Sequence, residues 1–284
     1  MDPELKRAIA LVGELPSIPT IASQIMAAAA KPTTSADDLR RIIEKDPSLS
    51  VRVLKVANSS LYGFRREVET LRHAVTLLGF KTVECLVMAA SLRDVFKHFG
   101  LSEKLLWEHA TIAGVAAGKL SGYGPIEVDR ELAFTAGLLH DLGKIALSNV
   151  FRERYHRVMA RVYNEAIPCI DAERAEFGFD HAVLGAHVAE KWQLPRPFVH
   201  AIRYHHYEPG AYRTLPADQF KLVALTSLVT RVCTKLGIGR RGPVEDIDLL
   251  QLPAFEALGL GEGDVEPVIK LVGEEAKAAE GLFR

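Results

Sequence analysis

The chain has 284 residues, of which 48% are hydrophobic and 25% charged, and its formal net charge is −1. These are the proportions of an ordinary globular protein of one large domain or two modest ones, and the near-neutral balance gives no support to a polyanion partner such as nucleic acid. Cys85, Cys169 and Cys233 are odd in number and lack CxxC spacing, and no leader peptide or membrane-spanning run is found, so a cytoplasmic protein with reduced thiols is expected.

Helical periodicity dominates, and clean strand alternation is hard to find. Ser35 with Asp38 reads as a helix start, with Leu39, Ile42 and Ile43 as its buried stripe. Asp46-Pro47 caps a second helix, whose face is Leu49, Val53, Val56 and Ala57 and which ends near Asn58-Ser59-Ser60. Thr70 caps a helix carrying Ala74, Leu77 and Leu78, with Gly79 as terminator, and another runs from about Thr82 into Phe96. Helix resumes at Ser102 and breaks at Ser121-Gly122-Tyr123-Gly124-Pro125. Further helices are expected over Asp129–Ser148, Phe151–Ala166, Ala182–Trp192, Pro197–His206, Phe220–Leu236 and Val265–Gly281. The expectation is an all-α protein with an N-terminal helical lobe (1–100), a second helical lobe (101–210) and a C-terminal helical extension (211–284). The pairs Arg40-Arg41, Arg65-Arg66 and Arg240-Arg241 read as solvated faces or loops.

The most telling stretch is Gly137-Leu138-Leu139-His140-Asp141-Leu142-Gly143-Lys144, an adjacent His-Asp pair inside an apolar run. Burying an imidazole and a carboxylate is costly unless both find partners, and a metal ion satisfies both at once. Helical spacing places other histidines on inward faces. His109 leads Ile112, Ala113, Ala116 and Leu120, and His181 leads Leu184, Gly185 and Val188. His205 shares a stripe with Phe198 and Ile202, with His206 at its edge. One inward histidine is more often a hydrogen-bonded core residue than a ligand. For His109, His140, Asp141, His181, His205 and His206 together, each would need its own separate partner. A divalent transition metal (iron, manganese, nickel or zinc, as one or two ions) is the better account of the set. His73, His98, His156, His187 and His200 lack the pattern. Lys144, one turn beyond the pair, either faces the same cavity, where it would neutralise a phosphoryl oxygen, or is a solvated helix-end lysine. No GxSxG elbow, Walker loop or convincing GxGxxG occurs.

These residues resemble the HD superfamily of metal-dependent phosphohydrolases. His109 matches its first histidine, His140-Asp141 its pair, and Asp141-Leu142-Gly143-Lys144 the HDxGK continuation of the HD-GYP branch. His181-Ala182-Val183-Leu184-Gly185 is similar to that branch's HPEIG element, and Ile202-Arg203-Tyr204-His205-His206 to its paired histidines. Two departures stand out. Ser227 falls where the last aspartate belongs, and the GYP signature is absent. Leu15-Pro16-Ser17-Ile18-Pro19, the run Asp46 to Ser60, and Ala74-Val75-Thr76-Leu77-Leu78-Gly79 together resemble the HDOD family, the HD-related output domain of bacterial signalling proteins. The resemblance implies a regulatory module, non-catalytic or weakly catalytic, with a signalling protein as partner. It keeps open a phosphohydrolase acting on a nucleotide or cyclic dinucleotide, in which Asp141 and Lys144 would carry the chemistry on a phosphate-containing small molecule.

Overall fold

In a computed structural model, residues 3–12, 20–29, 31, 33–58, 62–64, 66–92, 95, 100–165, 167–206 and 209–278 are described. Among them the regular structure is entirely helical. The N-terminal helices are α1 (Pro3–Val12), α2 (Thr20–Ala29), α3 (Ala36–Ile43), α4 (Pro47–Ala57) and α5 (Leu71–Leu92). After them come α6 (Leu101–Leu120), α7 (Arg130–Leu139), α8 (Leu142–Val150), α9 (Arg152–Asn164), α10 (Cys169–Phe177), α11 (His181–Lys191) and α12 (Arg196–Tyr204). The C-terminal set is α13 (Ala217–Leu236), α14 (Pro253–Ala257) and α15 (Val265–Ala278).

Local chemistry accounts for most of the helix starts. Ser35 and Asp38 form a reciprocal capping box ahead of α3, and Asp46 accepts from the Leu49 amide to open α4, with Pro47 in its first turn. Asp129 and Asp180 cap α7 and α11 in the same way. Gly79, with φ of 80°, kinks α5 where the sequence calls for an end, so the two expected helices run on as one broken rod. The stripe expected on its first half is only partly buried: Ala74 is inside, while Leu77 is 46% exposed.

One reading needs correction. The expected helix Asp129–Ser148 is two helices, α7 and α8, interrupted at His140 and Asp141. The helices α1, α2 and α10 carry too little clean periodicity to stand out in sequence, being short, alanine-rich or strongly charged. Ser59, Ser60 and 279–281 lie outside the described residues.

The helices α3, α4 and α2 pack around α5, and α5 meets α7, which joins the N-terminal lobe to the second one. There α6 and α7 form the central pair, α8 lies against α11, and α12 bridges α11 to α13. The helix α13 packs on α6, α7 and α12, with α15 against α6. One continuous apolar core runs through both lobes, from Leu39 and Val53 to Phe134, Leu184, Leu228 and Val268.

Candidate metal centre

Two helix crossings bring the site together, and glycine allows both. At α6–α7, a Cβ on Gly137 would stand 2.6 Å from the carbonyl oxygen of Ala113. At α8–α11, Gly143 and Gly185 face each other. A Cβ on Gly185 would lie 2.8 Å from the Gly143 nitrogen, and one on Gly143 would run into the carbonyl of His181. The glycines of the two sequence motifs are therefore a packing pair that sets His181 beside Asp141. The break between α7 and α8 does the rest. His140 ends one helix and Asp141 begins the next, and both consecutive side chains are buried in the same cavity. His205 is likewise the residue that ends α12 rather than a mid-helix position.

The structure brings together all six residues singled out as ligands. Four of the five imidazoles are oriented from behind. The Nδ1 atoms of His140, His205 and His109 lie 2.6, 2.8 and 3.2 Å from the carbonyl oxygens of Gly137, Ile202 and Ile238. His181 Nδ1 lies 2.6 Å from Glu173 Oε2, which also accepts from the His181 amide at 2.8 Å. An acceptor behind Nδ1 places the proton there and leaves a lone pair on Nε2.

Those Nε2 atoms converge on Asp141. His181 Nε2 is 3.2 Å and His205 Nε2 3.8 Å from Asp141 Oδ1, while His140 and His109 stand 3.3 and 3.9 Å from Oδ2. His181 Nε2 is also 3.3 Å from His205 Nε2 and 3.1 Å from His206 Nε2. His140 Nε2 and Asp141 Oδ1 are buried without a hydrogen-bond partner. Each such orphan costs about 1–3 kcal/mol, and a cation at the centre removes the cost. Nitrogen and carboxylate donors suit zinc, iron, nickel or manganese, so the residues fit a transition metal.

The donors form two groups that share Asp141. One is Asp141, His181, His205 and His206, and the other is His109, His140 and Asp141. Ser227 is half-buried on α13, and among the described residues no second acid completes the smaller group. Cys169, Glu173 and His181 make a third close set. Its 2.6 Å carboxylate–imidazole contact is a hydrogen bond with no room for an ion between the atoms. Glu173 is therefore an orienting group behind His181, and its other oxygen accepts from the Cys169 thiol at 3.3 Å.

Burial lowers His109 to about 3 and holds His205 and His206 well below the usual imidazole range, in the neutral form that ligates. Burial works against a charged His181 too, but the charge of Glu173 and the hydrogen bonds to Asp141 and Glu173 together lift the group to about 9. For Asp141 burial favours the acid, yet His140 and Lys144 keep the carboxyl well below its ordinary value. Lys144 resolves its two readings by pointing inward. Its Nζ donates to Asp141 Oδ2 at 2.8 Å, and that carboxylate overcomes burial to raise its pKa.

Sequence reasoning missed Glu173 and Cys169. The signal was present: Cys169, Ala172, Glu173 and Phe177 recur at offsets of three, four and eight, which puts an acid on the buried stripe of α10. Outside the set, His200 lies 2.7 Å from Gln219 and His187 3.4 Å from Glu190.

A family model for the HDOD domain matches residues 15–208. Among solved structures, an HDOD domain protein of unknown function from Geobacter sulfurreducens superposes with a TM-score of 0.78 at 25% identity, covering 98% of this chain and 99% of that one. A protein provisionally described as acting in signal transduction, from Marinobacter aquaeolei VT8, gives 0.70 at 25% identity over 99% of this chain and 65% of its own. A Shewanella amazonensis SB2B protein provisionally described as a phosphohydrolase gives 0.74 at 22% identity, covering 99% of this chain and 98% of that one, a likeness of fold. An uncharacterised Treponema pallidum (strain Nichols) protein is 26% identical over 205 residues, 70% of this chain, and the matched region spans 39% of that relative's length. No helix among the described residues is long and apolar enough to cross a membrane.

Proposed function

Because the chain belongs to the HDOD family, we propose that it is a cytoplasmic signal-transduction module built around a His/Asp metal centre, acting through protein contacts with little or no catalysis. The observation that carries this reading is the acceptor-rich pocket: Nε2 atoms turned toward Asp141, with His140 Nε2 and Asp141 Oδ1 unpartnered. An ion held from α6, α8, α11 and the end of α12 ties these elements together, so metal binding contributes to folding free energy. The described part of the segment 46–60, residues 46–58 with the 54% exposed Val51, is the surface assigned to a signalling protein partner. Elemental analysis of protein purified without added metal tests the centre. At least one equivalent of a transition metal, with a lower melting temperature in chelator, is expected. No metal and no response to chelator would sink the reading.

A second reading, a metal-dependent phosphohydrolase acting on a nucleotide or cyclic dinucleotide, draws on the sharing of Asp141 by two donor groups with Lys144 2.8 Å away. A bound ion would supply hydroxide near neutral pH by lowering the pKa of water toward ~7. In that reading Asp141 anchors both positions, His181, His205 and His206 fix one of them, and the Lys144 ammonium meets a phosphoryl oxygen. Turnover of cyclic dinucleotides or simple phosphodiesters with manganese, iron or nickel, abolished in Asp141→Ala, would establish it. Metal-loaded protein silent toward all of them would leave the regulatory module.

A further inference from the structure

We propose that Arg231, Arg240 and Arg241 form an anion-binding rim beside this centre and that it takes the phosphate of a phosphate-bearing small molecule. The proposal deepens the reading above and rests on it for the site's location, while its own chemistry is that of the arginines.

As sequence, Arg240-Arg241 reads as a solvated loop pair. The structure places the residues just before it against His109. After α13 the chain turns at Gly237, whose φ is 76°, and folds back on α6. The Ile238 carbonyl stands behind His109 Nδ1 at 3.2 Å, and a Cβ on Gly239 would lie 2.5 Å from His109 Cβ. Arg240 follows directly. The Arg241 guanidinium sits 4.9 Å from the ring centre of Tyr163 on α9. Burial raises the Tyr163 phenol, while the charges of Arg240, Lys144 and Arg241 each pull it down. Arg231 stands on the same face of α13 as Ser227, one helical turn further on, and burial followed by the charge of Arg240 lowers its pKa.

Like charges gathered this way repel one another, and no described carboxylate lies within ion-pair distance of any of the three arginines. The missing counter-charge is an anion from solution. Planar guanidinium forks match the oxygens of a phosphate, and several together favour a multiply charged phosphate over a lone carboxylate. A phosphoryl oxygen is also the kind of anionic donor that the His109–His140–Asp141 group lacks, with Ser227 in place of an acid.

The test is calorimetric titration of the full chain with inorganic pyrophosphate, in manganese-loaded and EDTA-treated forms. Wild-type protein should bind in both, and the Arg240→Ala/Arg241→Ala double variant should bind roughly 10-fold more weakly or worse, with its manganese content unchanged. Arg66→Ala, on the N-terminal lobe, should bind as wild type does. Absence of binding by wild type, equal affinity in the double variant, or an equal loss in Arg66→Ala would overturn the rim. Pyrophosphate binding that needs the arginines in a protein that never retains metal would uphold the rim and sink the metal centre alone.

Discussion

In the N-terminal lobe Asn58 donates from Nδ2 to the Val68 carbonyl at 3.0 Å and accepts from the Val68 amide at 2.7 Å, whereas in the second lobe His140 Nε2 and Asp141 Oδ1 are buried without a hydrogen-bond partner. Ser35 and Asp38 close a capping box within four residues, and Asp46 finds the Leu49 amide three residues on. Polar groups in the first region thus find their partners within the chain, most of them nearby in sequence. In the second region five imidazoles, drawn from α6, the α7–α8 break, α11 and the end of α12, crowd one carboxylate, and burial keeps three of them neutral. A set of groups that pairs internally specifies a fold. A buried set that leaves polar atoms without partners specifies a fold plus something supplied from outside.

The sharpest way to break this contrast is Asp141→Ala. It removes the one donor common to both groups and leaves Lys144 without its partner in a largely buried position. Stability in urea should fall by about 3–5 kcal/mol, the cost of stranding a buried charge, and elemental analysis should find no metal at either position. A variant that kept a full complement of metal would show that the carboxylate is not the hub. Next comes Gly143→Ala, which drives a methyl into the His181 carbonyl at the α8–α11 crossing. Overpacking of this kind costs about 1–3 kcal/mol, seen as a lower melting temperature. The displacement of His181 should empty the four-donor group while His109 and His140 keep theirs.

The same contrast explains what could be read in advance. The caps of α3 and α4, the Gly79 break and the apolar stripes were legible because each depends on residues within one or two turns. The inward faces of His109 and His181 were legible for the same reason, as helical offsets from apolar neighbours. Convergence of those faces was not. It depends on Gly143 meeting Gly185 across 42 positions of chain and on the helix breaking at His140 and Asp141, where apolar periodicity runs on uninterrupted. Arg240 and Arg241 read as loop residues because their place beside His109 is set by the return of the chain after α13, which no local pattern records.

Glu173 separates orienting from ligating within the centre. Glu173→Ala leaves every proposed ligand in place but frees the Nδ1 proton of His181. Loss of such a supporting carboxylate weakens metal binding by about 10–100-fold, which a cobalt(II) titration followed by visible absorption would register. The loss should fall on the group that contains His181. Glu173→Gln, which keeps an oxygen able to accept from Nδ1–H, should retain part of the affinity. If both variants bound cobalt as wild type does, the short contact would be packing without consequence for the site.

The smallest expected effect belongs to the N-terminal lobe and probes the other half of the contrast. Asn58→Ala removes both hydrogen bonds to Val68, which close the segment between α4 and α5. Asn58 is itself exposed, so water replaces part of what is lost, and the net cost should be about 1 kcal/mol in urea denaturation. Metal content should be unchanged, because α5 meets the second lobe at α7, and α7 is held independently by α6. A variant that lost metal along with that small stability would mean that the two lobes are energetically coupled. Coupling through α5 would then be the physical route by which a partner on the N-terminal surface reads the state of the centre.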